Sequence, residues 1–337
     1  MHVTFKLVCP HGVVSGGPEA LHQLGQALRA AGHIAEMVYL PIAPSNLTPE
    51  KFRQYGNPLS TELPDRPDIV VVLPELMTQL VWRFKRAQVV IWWLSVDNHF
   101  SAIQPKKWTK RAKLWLRNRW PPNRAYDFQP HANLHHAWQS EYARRFLLGQ
   151  GVATPLALTD YISPDLIQAE ADLSAQGRCN QVLFNPLKGK DFTEALRAAC
   201  AGDPYEFVPL KGYTATQMRG LLGSAKAYID FGEHPGRDRI PREAGACGCV
   251  VVTGQRGSAG NNVDVPLPDT YKVDEYADAA ISQARALLAQ VMVDTPAHLA
   301  AQQGYRTGIR GQRQVFVAEA AELGEFFSRR LSCNDSN

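Results

Sequence analysis

The densest concentration of reactive side chains lies in Asp230-Phe231-Gly232-Glu233-His234-Pro235-Gly236-Arg237-Asp238-Arg239-Ile240-Pro241-Arg242-Glu243. Three arginines and a histidine gather there beside the start of a short helix of small residues. Arginine's planar fork matches phosphate oxygens, and a helix N-terminus adds partial positive charge, so the pattern makes an anion site. Glu243, one turn into the helix, can accept two hydroxyl hydrogen bonds, as a ribose would supply. The structural alternative is a loop in which Asp238 and Glu243 pair internally with the arginines. So many charges in one tight loop between buried strands favour the anion site.

Three other segments carry candidate chemistry. After the first predicted strand comes Pro10-His11-Gly12-Val13-Val14-Ser15-Gly16-Gly17-Pro18-Glu19, where Gly16 and Gly17 precede a helix and let backbone approach a ligand. It is not a GxGxxG dinucleotide fingerprint, and a plain turn needing glycine is the alternative. In Trp92-Trp93-Leu94-Ser95-Val96-Asp97-Asn98-His99-Phe100, polar residues follow a strand end. Asp97 or His99 there is a candidate general base or a binder of sugar hydroxyls, against a turn using its own side chains. From Pro105 to Trp120, basic residues interleave with three tryptophans, a composition suited to anionic lipid headgroups or phosphates. A solvated basic helix with its indoles packed inward is the alternative.

These groups need a scaffold. Short Val- and Ile-rich runs at Val3–Val8, Ile34–Leu40, Ile69–Leu73, Val89–Leu94, Leu134–Trp138 and Pro155–Leu158 read as strands buried on both faces of a parallel sheet. The helix between the first two has Ala20, Leu21, Leu24, Ala27, Leu28 and Ala31 on one face, with Pro18 suited to its first position and Gly32 just past its end. Ser140 reads as the N-cap of another helix, running to Gly149–Gly151. After a boundary at Ser163–Arg178 the alternation restarts, with strands at Gln181–Phe184, Tyr205–Val208, Ala227–Phe231 and Cys249–Thr253. Helices are expected at Phe192–Ala199, Thr216–Leu222 and near Pro241–Ala246. The expectation is α/β: two doubly wound parallel-sheet domains facing a ligand cleft.

The 337 residues and ordinary apolar content suit two such domains and exclude a disordered or fibrous chain. The net charge of +4 is mild, but 101–124 holds eight Lys/Arg and no acid, so the rest of the chain is slightly acidic. Nucleic-acid binding by the whole protein is not indicated. The cysteines are scattered without a CxxC pair, which predicts free thiols, a reducing compartment and no structural zinc. Neither a signal peptide nor a membrane-spanning run is expected, which predicts a cytoplasmic protein, peripheral on the inner face of the membrane through 105–124.

The stretch Pro241-Arg242-Glu243-Ala244-Gly245-Ala246-Cys247-Gly248-Cys249-Val250-Val251 resembles the donor-site signature of GT-B-fold glycosyltransferases, in particular the retaining nucleotide-sugar-dependent group. The segment from Tyr228 to Glu243 looks like that of a bacterial surface-polysaccharide subgroup. Ser15-Gly16-Gly17-Pro18-Glu19, Gln139-Ser140-Glu141-Tyr142, Asn185-Pro186-Leu187-Lys188-Gly189-Lys190 and Gly257-Ser258-Ala259-Gly260 resemble further segments of that group, so the likeness spans nearly the whole chain. It implies Rossmann-like domains: an acceptor-side domain at 1–165, a donor domain at 178–304, and C-terminal helices at 305–337 crossing back to the first.

The implied donor-binding residues are Gly16, Gly17, Lys188, Lys190, Gly236, Arg237, Arg239, Glu243 and Ser258. The implied catalytic group is Asp97, His99 and His234. The lysines and arginines would neutralise a leaving diphosphate, so neither a metal nor a cofactor is expected. The expected partners are a nucleotide-sugar donor and a glycan or lipid-linked acceptor. One departure is visible: the group spaces two glutamates eight apart, but eight before Glu243 stands Pro235. That motivates one alternative, a catalytically degenerate binding module; a nucleotide-sugar epimerase of the same fold is another.

Overall fold

The structure, a computed structural model, describes residues 2–103, 126–129, 131–167 and 177–334. The basic, tryptophan-rich segment at 105–124 lies outside the described residues. Two compact units result: Met1–Asp160 with Gln314–Asn337, and Tyr161–Arg313.

The first unit holds six strands, β1 (Thr4–Pro10), β2 (Ile34–Leu40), β3 (Ile69–Pro74), β4 (Gln88–Trp93), β5 (Leu134–Trp138) and β6 (Leu156–Ala157), in the order β2-β1-β3-β4-β5-β6. Its helices include α1 (Gly16–Ala30), α2 (Val96–Ile103) and α3 (Glu141–Gly149). The second unit has β7 (Cys179–Phe184), β8 (Glu206–Pro209), β9 (Ala225–Asp230) and β10 (Val250–Thr253), in the order β10-β9-β7-β8. Around them run α4 (Lys190–Ala199), α5 (Ala215–Ser224), α6 (Arg239–Ala246), α7 (Ala280–Val293) and α8 (Thr295–Ala301). Every strand pairing described is parallel. Parallel strands are buried on both faces, which is why they read as unbroken apolar runs: β3 and β4 are buried at every position.

The last helix, α9 (Gln303–Asn334), leaves the second unit and ends in the first. In the first unit Phe316 stacks on Trp92, Glu319 accepts from the backbone and hydroxyl of Thr159 at 2.7 Å, and Arg330 donates to Gln88 and the Ala132 carbonyl. Among the described residues no helix is long and apolar enough to cross a membrane.

Local signals resolve in detail. Ser140 accepts from the amide of Ala143, as an N-cap should. Gly32 takes φ +88° just beyond α1, the left-handed exit that glycine accommodates. Pro18 is the third residue of α1 rather than the first, since the helix opens at Gly16. The strand expected at Pro155–Leu158 shortens to two residues at the sheet edge. Cys247 and Cys249 are fully buried among apolar side chains.

One short-range device holds the first sheet. Asp65 accepts from the amides of Lys85, Arg86 and Ala87 at 2.8–2.9 Å, tying the turn before β4 to the approach to β3. Burial opposes its ionisation, but the three N–H donors outweigh that and hold its carboxyl below the usual range. Asp65→Ala is expected to cost roughly 1–3 kcal/mol, read as a lower urea midpoint. An unchanged midpoint would show that water replaces the carboxylate without loss.

Candidate functional site

From β7 the chain goes to β8 on one side, then returns to β9 on the other. The loops leaving β7 and β9 therefore diverge above their carboxyl ends, where open α/β sheets bind ligands. The two loops interlock through glycines. Gly189 has φ +50°, and a Cβ there would lie 2.5 Å from the carbonyl carbon of Phe231. Gly232, at φ +94°, would put its own Cβ 2.5 Å from the nitrogen of Gly189.

Over this crossing sits an ionic cluster. Lys188, from the first loop, donates to Asp238 Oδ2 in the second and lies 3.7 Å from Asp230 Oδ1 at the end of β9. His234 Nδ1 lies 2.9 Å from the same Asp238 Oδ2, and its Nε2 lies 3.1 Å from the Asp230 carbonyl. Both ring nitrogens thus face acceptors. Tyr228 donates to Asp230 Oδ2 at 2.9 Å. Burial pushes the Asp230 carboxyl up, against the pull of Lys188 and His234. Asp238 is half-buried, and the His234 hydrogen bond and the Lys188 charge outweigh its desolvation and hold its carboxyl below the ordinary value. Among the described residues, Asp230, His234 and Asp238 also form the group able to hold a metal ion, with ligand atoms within 4.8 Å of one another.

The other residues of the loop divide by burial. Arg237 and Arg239 are half-buried. Arg239 donates to the Tyr161 carbonyl at 2.9 Å and lies 4.0 Å from Glu243. Arg242 is 2% exposed and donates to the carbonyls of Asp238 and Arg237 and to Gln312. It is therefore a strut of the loop. The internally paired loop weighed from sequence is present in part: Arg239 lies beside Glu243, while Asp238 pairs with Lys188 and His234 instead of an arginine. Ser258, wholly buried, donates to the Gly236 carbonyl, fixing the loop from the turn after β10. Lys190 is exposed at the first position of α4. His234, at 1% exposure, and Ser258 act in this structure as internal supports, because their polar atoms are spent on the loop itself.

In the first unit the corresponding divergence lies between β1 and β3. Gly16 and Gly17 are the opening residues of α1, and a Cβ on Gly17 would make only an ordinary 3.6 Å contact with Leu94. The positive φ belongs to Gly12, at +75°. The conformational need for glycine is thus at Gly12, not at the pair. Asp97 and His99 lie on α2 rather than in a turn. Asp97 accepts from the Tyr142 hydroxyl at 3.0 Å. His99 is 1% exposed, with Nδ1 3.0 Å from the Glu75 carbonyl, its ring edge-on to Trp93, and Nε2 without a hydrogen-bond partner among the described residues. Burial lowers its pKa, outweighing the Glu75 hydrogen bond.

Glu75 was not legible as a site residue; in the sequence it only interrupts an apolar stretch. It follows β3 directly, at the divergence, and is 3% exposed. Its Oε2 accepts the Leu94 amide at 3.2 Å, and burial raises its pKa to about 8. The one available signal was position: an acid immediately after a buried parallel strand.

No protein-family profile and no curated protein matches the chain. Solved structures do. Sucrose-phosphate synthase from Thermosynechococcus elongatus matches at 13% identity with a TM-score of 0.63, covering 98% of this chain and 100% of that one. HepE from Anabaena, solved in complex with UDP-glucose, matches at 14% identity and 0.60, covering 97% and 100%. WaaG, a glycosyltransferase involved in lipopolysaccharide biosynthesis, matches at 14% identity and 0.59, covering 95% and 99%. Two parallel α/β sheets in this order, matching these structures over almost the full chain, give this protein the GT-B fold.

Proposed function

We propose that this protein is a glycosyltransferase moving a sugar from a nucleotide diphosphate sugar to a glycan or lipid-linked acceptor in surface polysaccharide assembly. The observation that carries the reading is the set Lys188, Arg237 and Arg239 with the start of α6, gathered above the carboxyl ends of β7 and β9. A leaving diphosphate develops negative charge as the glycosidic bond breaks. Fixed cations and a helix N-terminus stabilise that charge without reorganising. In this reading they do so in place of a metal, and Glu243 holds the ribose hydroxyls. Asp238 makes no side-chain cap of α6, because its carboxylate is turned to Lys188 and His234. Buried Ser258, Arg242 and His234 hold the loop in shape for the ligand. In the first unit, Gly16 and Gly17 at the α1 N-terminus, with Asp97, His99 and Glu75, form the acceptor-side group. The HepE complex with UDP-glucose and the lipopolysaccharide role of WaaG support the donor class and the pathway type. The segment 105–124 is the proposed contact with an anionic membrane surface.

The test is thermal stabilisation by UDP, GDP, ADP, TDP and CMP, with and without a chelator. A ligand at 100 times its Kd adds about 2.7 kcal/mol to native stability. One nucleoside diphosphate is expected to raise the midpoint by several degrees, equally with chelator present. Arg237→Ala with Arg239→Ala is expected to weaken that nucleotide roughly 10- to 100-fold, since charge-assisted hydrogen bonds are removed. No shift with any nucleotide would sink the donor site. Binding without turnover on any acceptor would favour the degenerate binding module, which the inward commitment of His234 and Asp238 also suits. Turnover of the sugar donor with no acceptor present would indicate the epimerase.

A further inference from the structure

We infer that Asp230, His234 and Asp238 form a cation site whose occupant is the protein's own Lys188. Three observations converge. The ligand atoms of these residues lie within 4.8 Å of one another, a spacing that fits one shared cation. Asp230 Oδ1 is buried and has no hydrogen-bond partner among the described residues, and the Lys188 ammonium lies 3.7 Å from it. That same ammonium donates to Asp238 Oδ2. Two carboxylate oxygens thus converge on one positive centre, with the imidazole on the shared oxygen.

The chemistry explains why a lysine fills the position. A carboxylate as buried as Asp230 is costly without a compensating charge. An ammonium is a compact charge with three donors, able to serve two carboxylates from the end of a long stem. The lysine arrives from a different loop, whose path is fixed by the interlocked Gly189 and Gly232. Carboxylate oxygen and imidazole nitrogen are equally ligands for Mn²⁺ or Zn²⁺. A divalent ion and Lys188 would therefore compete for the same oxygens. On the donor-site reading above, the consequence is that an anionic ligand meets a cation already held in place at the β7/β9 divergence. The occupancy itself does not depend on that reading.

The experiment measures Mn²⁺ binding to the full chain at pH 8 by electron paramagnetic resonance of free Mn²⁺, with no nucleotide present. Wild type and Lys188→Arg, which both keep a cation in the site, are expected to bind weakly. Lys188→Ala should bind at least about ten-fold tighter, and adding Asp238→Asn should reverse most of that gain. Lys188→Met, which keeps most of the stem but not the charge, is measured alongside in case the alanine variant does not fold. Circular dichroism establishes that each variant read is native. A native Lys188→Ala or Lys188→Met protein with wild-type Mn²⁺ affinity would overturn the inference. So would a wild type that binds Mn²⁺ as tightly as the variants. Because nucleotide is absent, failure of the donor-site reading leaves this result standing, and the reverse also holds.

Discussion

Glu75→Gln is expected to stabilise the protein increasingly as pH rises from about 4.5 to 8, and to lower its activity. Burial raises the native carboxyl's pKa to about 8, whereas the unfolded chain's stays near the ordinary 4.5. Below 4.5 both states hold the proton and the group costs nothing. Between the two values the native state keeps a proton that the unfolded state releases, so stability falls as pH rises. Above 8 both are ionised and the loss is complete. At about 1.36 kcal/mol per pH unit, the full penalty is on the order of 4–5 kcal/mol. Glutamine has the same shape, retains an oxygen for the Leu94 amide and never ionises, so it removes the penalty. Urea midpoints at several pH values between 4 and 9 measure this. Curves for variant and wild type that stay parallel across the range would show that the carboxyl does not titrate in the window. On the proposed function, the activity loss follows from the place of Glu75 at the β1/β3 divergence: a protein carrying such a cost retains it where the group is used.

The second large effect is at Gly189. Alanine there is strained twice: the backbone is left-handed at φ +50°, and the added Cβ would lie 2.5 Å from the Phe231 carbonyl carbon. The obstacle is backbone, so no side chain can swing aside. A left-handed conformation alone costs about 1–2 kcal/mol for a residue with a Cβ. With the clash, Gly189→Ala is expected to lose roughly 3 kcal/mol or more. Relief of the clash must separate the two loops, which moves Lys188 away from Asp238. The variant should therefore lose nucleotide-dependent stabilisation as well as stability. Gly220→Ala is the control, because it lies inside α5 with open space around its Cβ position and φ outside the left-handed range. Equal behaviour of the two variants would remove the interlock from the account.

The sequence by itself determined the alternation of buried strands and helices, the split of that alternation into two runs, and the loop where charge concentrates. These are local properties. A parallel strand buried on both faces must be apolar throughout, so β3, β4 and β10 announce themselves within a few residues. A helix start at Ser140 and a helix exit at Gly32 are likewise fixed by neighbouring backbone. Tertiary structure alone decided which polar residues face inward. Arg237, Arg239 and Arg242 look alike in the chain, yet Arg242 is spent on the carbonyls of its own loop and on Gln312, seventy residues away. Nothing in the chain marked His234 and His99 as buried, yet each is 1% exposed. Glu75 looked like an interruption and proved to sit at the divergence of the first sheet. Gly16 and Gly17 stood out in the chain as a candidate ligand turn, while Gly189 is where a side chain cannot fit, because Phe231 arrives from the end of another strand. Periodicity along a chain reports how each element is buried. It does not report which element arrives opposite, and a charge is a ligand, a strut or a counter-ion according to that partner.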